Sequence, residues 1–240
     1  MKSIIIAAGS GRRIPEISNK TPKSLIKINN KSILKRQIDL MRSIGIDKIS
    51  IIKGFKSNKI KFKKIKYFYN KNYKKNEQLD SFFTAKKWFT DDLLITFSDI
   101  IYEKSILEKI IGNKNNFSIA IQKNWKQKYK NRFDHPINQA DKVFVKNNMI
   151  KKIGKNLSIN KTNGEFLGIF KIHKKMCNIL IKEYKFLKKI KKTHNLQIHD
   201  FFSYLIKKNI SIKPVYVNGK FMEIDTLNDY KIAKKMFNEK

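Results

Sequence analysis

The chain has 240 residues, 41% hydrophobic and 12% aromatic, which is ample for a buried core and argues against disorder of the whole. Lysine and arginine total 54 against 19 acids, a formal charge of +35. The basic residues run through nearly every segment and only five are arginine, so they form no selected nucleic-acid footprint. Abundant Asn, Ile, Phe and Tyr beside scarce Gly and Pro fit the codon bias of an A/T-rich genome, so no dedicated nucleic-acid partner is expected, although the field attracts polyanions. One cysteine, Cys177, excludes an internal disulfide and a cysteine-rich zinc site, and its apolar neighbours make it a small core hydrophobe. No apolar run approaches the roughly 20 residues of a membrane span, and Ile4 to Ala8 is too short for a signal peptide. A soluble, cytoplasmic protein is expected.

In chain order, Ile4-Ile5-Ile6-Ala7 reads as a buried parallel strand. A polar loop over 8–22 follows, then a helix capped by Ser32 that stops near Gly45. Strands are predicted over 48–53 and 66–69, and a helix from Glu77 toward Trp88. A buried strand over 93–97, a helix around 106–111 and a strand over 117–121 come next. The later pattern is less regular: a hairpin over 142–153 around Asn147-Asn148, a strand over 166–172, helices over 179–190 and 198–205, a strand over 212–217 and a helix over 227–237. Strand–helix alternation over the first 120 residues predicts a right-handed parallel arrangement. The fold class is α/β: a Rossmann-like, mixed, mostly parallel sheet flanked by helices, with a small antiparallel portion. One domain over 1–240 is expected, with a nucleotide-binding core over 1–122 and an acceptor-side portion over 123–240.

The loop after the first strand, Ala7-Ala8-Gly9-Ser10-Gly11-Arg12-Arg13, is neither a P-loop nor a dinucleotide fingerprint, since Ile14 stands where a third glycine belongs. It is a turn at the carboxyl edge of a strand, where an open α/β sheet binds ligands. Gly9 and Gly11 let backbone N–H groups approach a phosphate. Pro22 stiffens the chain ahead of Lys23, which is then aimed at the same pocket. Asp99 follows the apolar run Leu94 to Phe97, and Asp225 precedes a helix that Thr226 caps. As a pair, the two acids suit a metal that holds a nucleoside triphosphate.

Those segments, with Pro22-Lys23-Ser24-Leu25, Ser98-Asp99 and Glu223-Ile224-Asp225-Thr226, resemble the landmarks of the nucleotidyltransferases with the glycosyltransferase-A-like fold. The resemblance runs in order along almost the whole chain. It implies that Arg13 and Lys23 act on the triphosphate, with Arg12 in the variable slot of the loop, and that Asp99 and Asp225 hold Mg²⁺. A narrower resemblance, to cytidylyltransferases acting on phosphocholine, 2-aminoethylphosphonate or phosphoglutamine, is carried by Ile51 to Phe55, by Asn72-Tyr73 with Glu77 to Ser81, by Trp125 with Tyr129 to Pro136, and by Gly164 to Gly168. It implies nucleotide binding by Ala7, Ala8, Gly9, Ser10, Gly11, Arg12, Gly54, Glu77 and Ser81; family members often have Asn where Glu77 stands. It implies acceptor binding by Trp125, Arg132, His135 and Glu165. The Trp125/Tyr129 pair is read either as a wall for a cationic head group or as core. His173, His194 and His199 share no metal-like spacing.

The implied activity is Mg²⁺-dependent transfer of CMP from CTP to a small phosphate- or phosphonate-bearing acceptor, of the kind used to modify cell-surface polysaccharides. Two alternatives stand beside it: a sugar-1-phosphate nucleotidylyltransferase using UTP, dTTP or GTP, and a nucleotide- or nucleic-acid-binding protein without the chemistry. Homo-oligomers are compatible with either enzyme reading. The lysine-rich run Lys185 to Lys192 is read as a solvated face, its alternative being an anionic membrane surface.

Overall fold

Five consecutive buried residues, Ser3 to Ala7, make β1 (Lys2–Ala7) a strand covered on both faces. In the computed structural model, which describes residues 1–9, 14, 21–75, 78–190 and 195–238, this strand is the axis of the sheet. After the turn Lys23–Leu25 come the two-residue strands β2 (Lys27–Ile28) and β3 (Lys31–Ser32). Helix α1 (Ile33–Ser43) follows, with the Ser32 hydroxyl accepting from Lys35 N as its N-cap. Strands β4 (Ile49–Lys53) and β5 (Lys66–Tyr69) extend the sheet on one side of β1.

The helix expected from Glu77 to Trp88 is split: α2 spans Gln78–Thr84 and a 3-10 turn spans Lys86–Trp88, while Glu77 itself lies outside the described residues. Next come β6 (Leu93–Phe97), β7 (Ile100–Tyr102), α3 (Lys104–Ile111), β8 (Phe117–Gln122) and the single helical turn α4 (Trp125–Lys128). The hairpin β9 (Lys142–Lys146) and β10 (Met149–Gly154) turns on Asn147 and Asn148, both at φ 52°, the left-handed pair that a two-residue hairpin loop needs. The chain closes with β11 (Gly164–Ile172), α5 (Lys174–Ile190), α6 (Ile198–Lys207), β12 (Lys213–Tyr216), β13 (Phe221–Glu223) and α7 (Leu227–Met236).

Among the described residues the main sheet has nine strands. The β6–β1–β4–β5 half is parallel, and β11 then runs antiparallel to β6, β8 and β9. The expected mixed α/β architecture is therefore present. A register shift lies between Phe166 and Phe170, where Gly168 adopts φ 70° and a Cβ would stand 2.7 Å from the Phe97 ring. This kink lets β11 pair β9 at its start and β6 at its end. Cys177 is buried in the main core, where burial raises its thiol to about 11. No helix among the described residues is long and apolar enough to cross a membrane.

A small two-stranded sheet that the sequence pattern did not show positions the site. Strands β7 and β13 pair antiparallel, Ile100 opposite Glu223 and Tyr102 opposite Phe221, and the ladder continues through Ile224 N–H to Asp99 O at 2.9 Å. Beneath it lies a second core of Ile26, Ile28, Ile33, Ile101, Met222, Ile224 and Ala233, with Ile14. Its members come from the three segments that carry Lys23, Asp99 and Asp225.

Candidate active site

Parallel pairing sets the ends of β1, β4 and β6 side by side, with Ala7 opposite Lys53 and Ile6 opposite Phe97. Ala8, Gly54 and the Ser98-Asp99 turn therefore share the carboxyl edge of the sheet. Gly54 is there because nothing larger fits: a Cβ would stand 2.6 Å from Ala8 O and 2.7 Å from Tyr73 Cβ. The next residue, Phe55, donates its N–H to the same Ala8 carbonyl at 3.2 Å. Ser81 on α2 is buried and accepts from Asn70 Nδ2 at 2.9 Å, tying the loop after β5 to the helix. Ser10, Gly11, Arg12, Arg13 and Glu77 lie outside the described residues, as does His194.

Lys23 is aimed by Pro22 and its 3-10 turn, and its ammonium sits between two carboxylates. It donates to Asp99 Oδ2 at 2.9 Å and to Asp225 Oδ1. Burial favours the neutral amine, but Asp99, Asp225 and Glu223 outweigh it and raise the Lys23 pKa above the ordinary lysine value. Glu223 completes the cluster. Burial, then the charges on Asp225 and Asp99, push its proton affinity well above the usual carboxylate range.

The turn that carries Asp99 is clamped from below by Gln37 of α1, a residue with no sequence signal. This buried amide donates to Phe97 O at 2.9 Å and to Ile100 O at 2.7 Å, and accepts from Thr96 Oγ1 at 2.8 Å. Asp225 is fixed from the other side by Asp229, which accepts the Asp225 and Thr226 N–H groups at 3.0 Å each. Thr226 returns a cap to Asp229 N at 3.1 Å, and this Thr-x-x-Asp capping box was a readable signal.

Arg132, expected to bind the acceptor, lines the cleft as a buried strut. Its Nε donates to Asp229 Oδ1 at 2.7 Å, and its Nη2 reaches Glu223 O at 3.1 Å and His135 Nδ1 at 2.9 Å. Burial would raise the Asp229 carboxyl, yet His135 and Arg132 beside it hold it below the usual range. His135 is buried within 3.6 Å of Asp225 and forms, with Glu223 and Asp225, a group whose ligand atoms lie within 4.8 Å of one another.

A cleft of about 150 Å³ runs from Asp99, Glu223 and Asp225 past Arg132 and His135 to Glu165. Gly168 and Phe166 on the kinked part of β11 form one wall, and Lys155, Asp141 and Gln139 join from the antiparallel portion. Glu165 is buried and accepts from the Tyr129 hydroxyl; burial raises its pKa against the pull of Tyr129, Lys128 and Arg132. Lys128 lies behind it, its ammonium lowered to about 8 by burial. The expectation that Trp125 walls the acceptor is corrected. It is 1% exposed, packs edge-on to Tyr129 in a satellite core with Ala140, and does not line the cleft. An amphipathic turn with two aromatics has this pattern whether it faces core or ligand.

The donor set fits a hard divalent cation. Asp99, Glu223 and Asp225 offer only oxygen, and their carboxylates outnumber the one ammonium among them, as the raised Glu223 pKa registers.

Glycine-lined strand ends, a buried lysine and clustered carboxylates on a half-parallel sheet are the architecture of a nucleotidyltransferase. The chain belongs to the MobA-like NTP transferase domain family, whose description matches residues 3–166. It is 28% identical over 249 aligned positions to the CTP:phosphoglutamine cytidylyltransferase of Campylobacter jejuni, covering 97% of this chain and 98% of that protein. It is 33% identical over 110 positions to the choline-phosphate cytidylyltransferase of Haemophilus influenzae, covering 44% of this chain and 47% of that one. Among solved structures, the CTP:phosphocholine cytidylyltransferase of Streptococcus pneumoniae superposes with a TM-score of 0.78 at 17% identity over 99% of both chains. The inositol-1-phosphate CTP transferase of T. maritima does so with 0.77 at 18% identity, over 98% of this chain and 95% of that one. These structural likenesses speak for the fold.

Proposed function

We propose that this protein transfers the cytidylyl group of CTP to a phosphate or phosphonate oxygen of a small acceptor that also bears an amine, with release of pyrophosphate. The observation that carries this reading is the buried Lys23 held between Asp99 and Asp225, at the junction of the strand-end glycine edge and the cleft leading to Glu165. The full-length likeness to a cytidylyltransferase supports cytosine as the base.

The acceptor oxygen is already anionic, so its in-line attack on the α-phosphorus needs no general base. The new P–O bond forms as the bond to the β-phosphate oxygen breaks, and positioning and charge stabilisation do the rest. Lys23, with Arg13, stabilises charge growing on the α-phosphoryl oxygens. The backbone of Ala7 to Arg12 cradles the phosphates, and the Gly54, Glu77 and Ser81 region receives the nucleoside. Asp99 and Asp225, with Glu223 beside them, would hold Mg²⁺, which when bound neutralises phosphate charge. Arg132 and His135 keep Asp225 and Glu223 in register at the start of the acceptor cleft, and Glu165 gives an acceptor ammonium its counter-charge at the far end. A hexose 1-phosphate has no amine to set against Glu165.

The test is pyrophosphate release with CTP, UTP, dTTP or GTP against phosphocholine, 2-aminoethylphosphonate, phosphoglutamine and glucose 1-phosphate. CTP with an amine-bearing acceptor should give the highest kcat/KM. A higher value for UTP with glucose 1-phosphate overturns the proposal. For the metal, Mn²⁺ as a paramagnetic probe should bind wild type, and Asp99→Asn should bind it at least about tenfold more weakly; equal binding removes Asp99 from the ligand set.

A further inference from the structure

The outer face of α5 plays no part in the cleft, since no residue of the helix lines it. The inner side is well spent: Leu180, Leu187 and Cys177 are buried, and Tyr184 stacks on Phe83 with ring centroids 3.9 Å apart. Outside, Ile179, Phe186 and Ile190 are 43%, 46% and 61% exposed, three of the few large apolar side chains so placed among the described residues. At 100° per residue their positions fall within an arc of about 40°, so they form one stripe along a helix roughly 25 Å long.

The stripe runs between two sets of cations. Lys182, Lys185 and Lys189 stand exposed along one side of it on α5 itself. On the other side Lys208 lies 5.1 Å from the Phe186 ring centroid, and Lys114 and Lys213 border the groove beside Ile179. The one acid among the groove residues, Glu183, accepts from the Tyr204 hydroxyl at 2.7 Å. A two-fold contact with a second copy would set each lysine row against a like row, which disfavours self-association here. The partner must offer apolar contact and negative charge along a shallow line.

We propose that the outer face of α5 docks on an anionic lipid bilayer, with Ile179, Phe186 and Ile190 at the headgroup boundary and the flanking lysines on lipid phosphates. Lysine stems lie along apolar surface while their ammonium groups stay in the polar layer, so the two kinds of residue act together. The net charge of +35 draws the molecule to such a surface, and the stripe sets the orientation. The stripe and the cleft share no side chain.

The experiment is co-sedimentation of the full chain with vesicles of phosphatidylglycerol and phosphatidylcholine in equimolar mixture, against pure phosphatidylcholine. Wild type should bind the mixed vesicles and not the neutral ones. The double substitution Phe186→Ser with Ile190→Ser leaves the charge unchanged, and should weaken binding by about tenfold or more. Lys182→Gln, Lys185→Gln and Lys189→Gln together should do the same. An equal charge loss on α7, which packs on the second core, at the exposed Lys231, Lys234 and Lys235, should matter less. Unchanged thermal midpoints would show that the variants fold. The proposal is overturned if wild type ignores the anionic vesicles, if it prefers soluble poly-glutamate to them, or if the uncharged double substitution binds like wild type.

Discussion

Lys23 carries a charge that its own burial opposes, and the surrounding carboxylates are what keep it there. In the proposed reaction that charge counts most as the α-phosphorus becomes five-coordinate, so Lys23→Ala should lower kcat by about 10²–10³ while changing KM for CTP far less. A rise in KM with kcat intact would make Lys23 a binding residue only. Lys23, Asp99 and Asp225 were legible because each stands where a strand or turn ends in an otherwise patterned chain. Gln37 was not, because a glutamine on the buried side of a helix carries no motif and its meaning lies in the carbonyls it meets. The ties of Arg132 were hidden for a related reason. Only the fold reveals that Asp229 takes its Nε and that the Glu223 carbonyl and His135 take its Nη2.

At the scale of elements, long periodic segments were read from the sequence nearly as they stand, whereas β7 and β13 were missed. Three residues are too few to show an alternation, so neither Ile100–Tyr102 nor Phe221–Glu223 carries a readable period. Yet this ribbon holds Asp99 and Asp225 together, so the least legible element is the one on which the site depends. The close approach of the β1 and β4 ends at Gly54 is equally demanding. In Gly54→Ala the new methyl meets the Ala8 main chain and Tyr73, and the strand end must yield. The expected outcome is a loss of about 1–3 kcal/mol in urea unfolding. A raised KM for CTP with the acceptor KM unchanged should accompany it; the reverse split would place the nucleotide elsewhere.

For the whole molecule, the excess of lysine was legible as a number and its distribution was not. A field of +35 should speed the encounter with a triphosphate, so kcat/KM for CTP should fall steeply as sodium chloride shortens the screening length from about 30 Å toward 8 Å. A flat salt profile would confine the electrostatics to the cleft. The second core beneath the β7–β13 ribbon leads further. It is small, it is separate from the main core, and it joins Ile26, Ile101, Ile224 and Ala233 from distant parts of the chain. Such a patch opens as a unit at a lower free energy than the sheet beside it. Activity and global structure should therefore part company in rising urea, with turnover lost while the far-ultraviolet circular dichroism of the sheet and helices is still intact. Coincident transitions would show one cooperative unit. With two units, the protein passes through a state that is folded by most measures and catalytically blank, its carboxylates no longer facing its lysine, and re-docking of one ribbon and one helix is all that separates that state from the competent one.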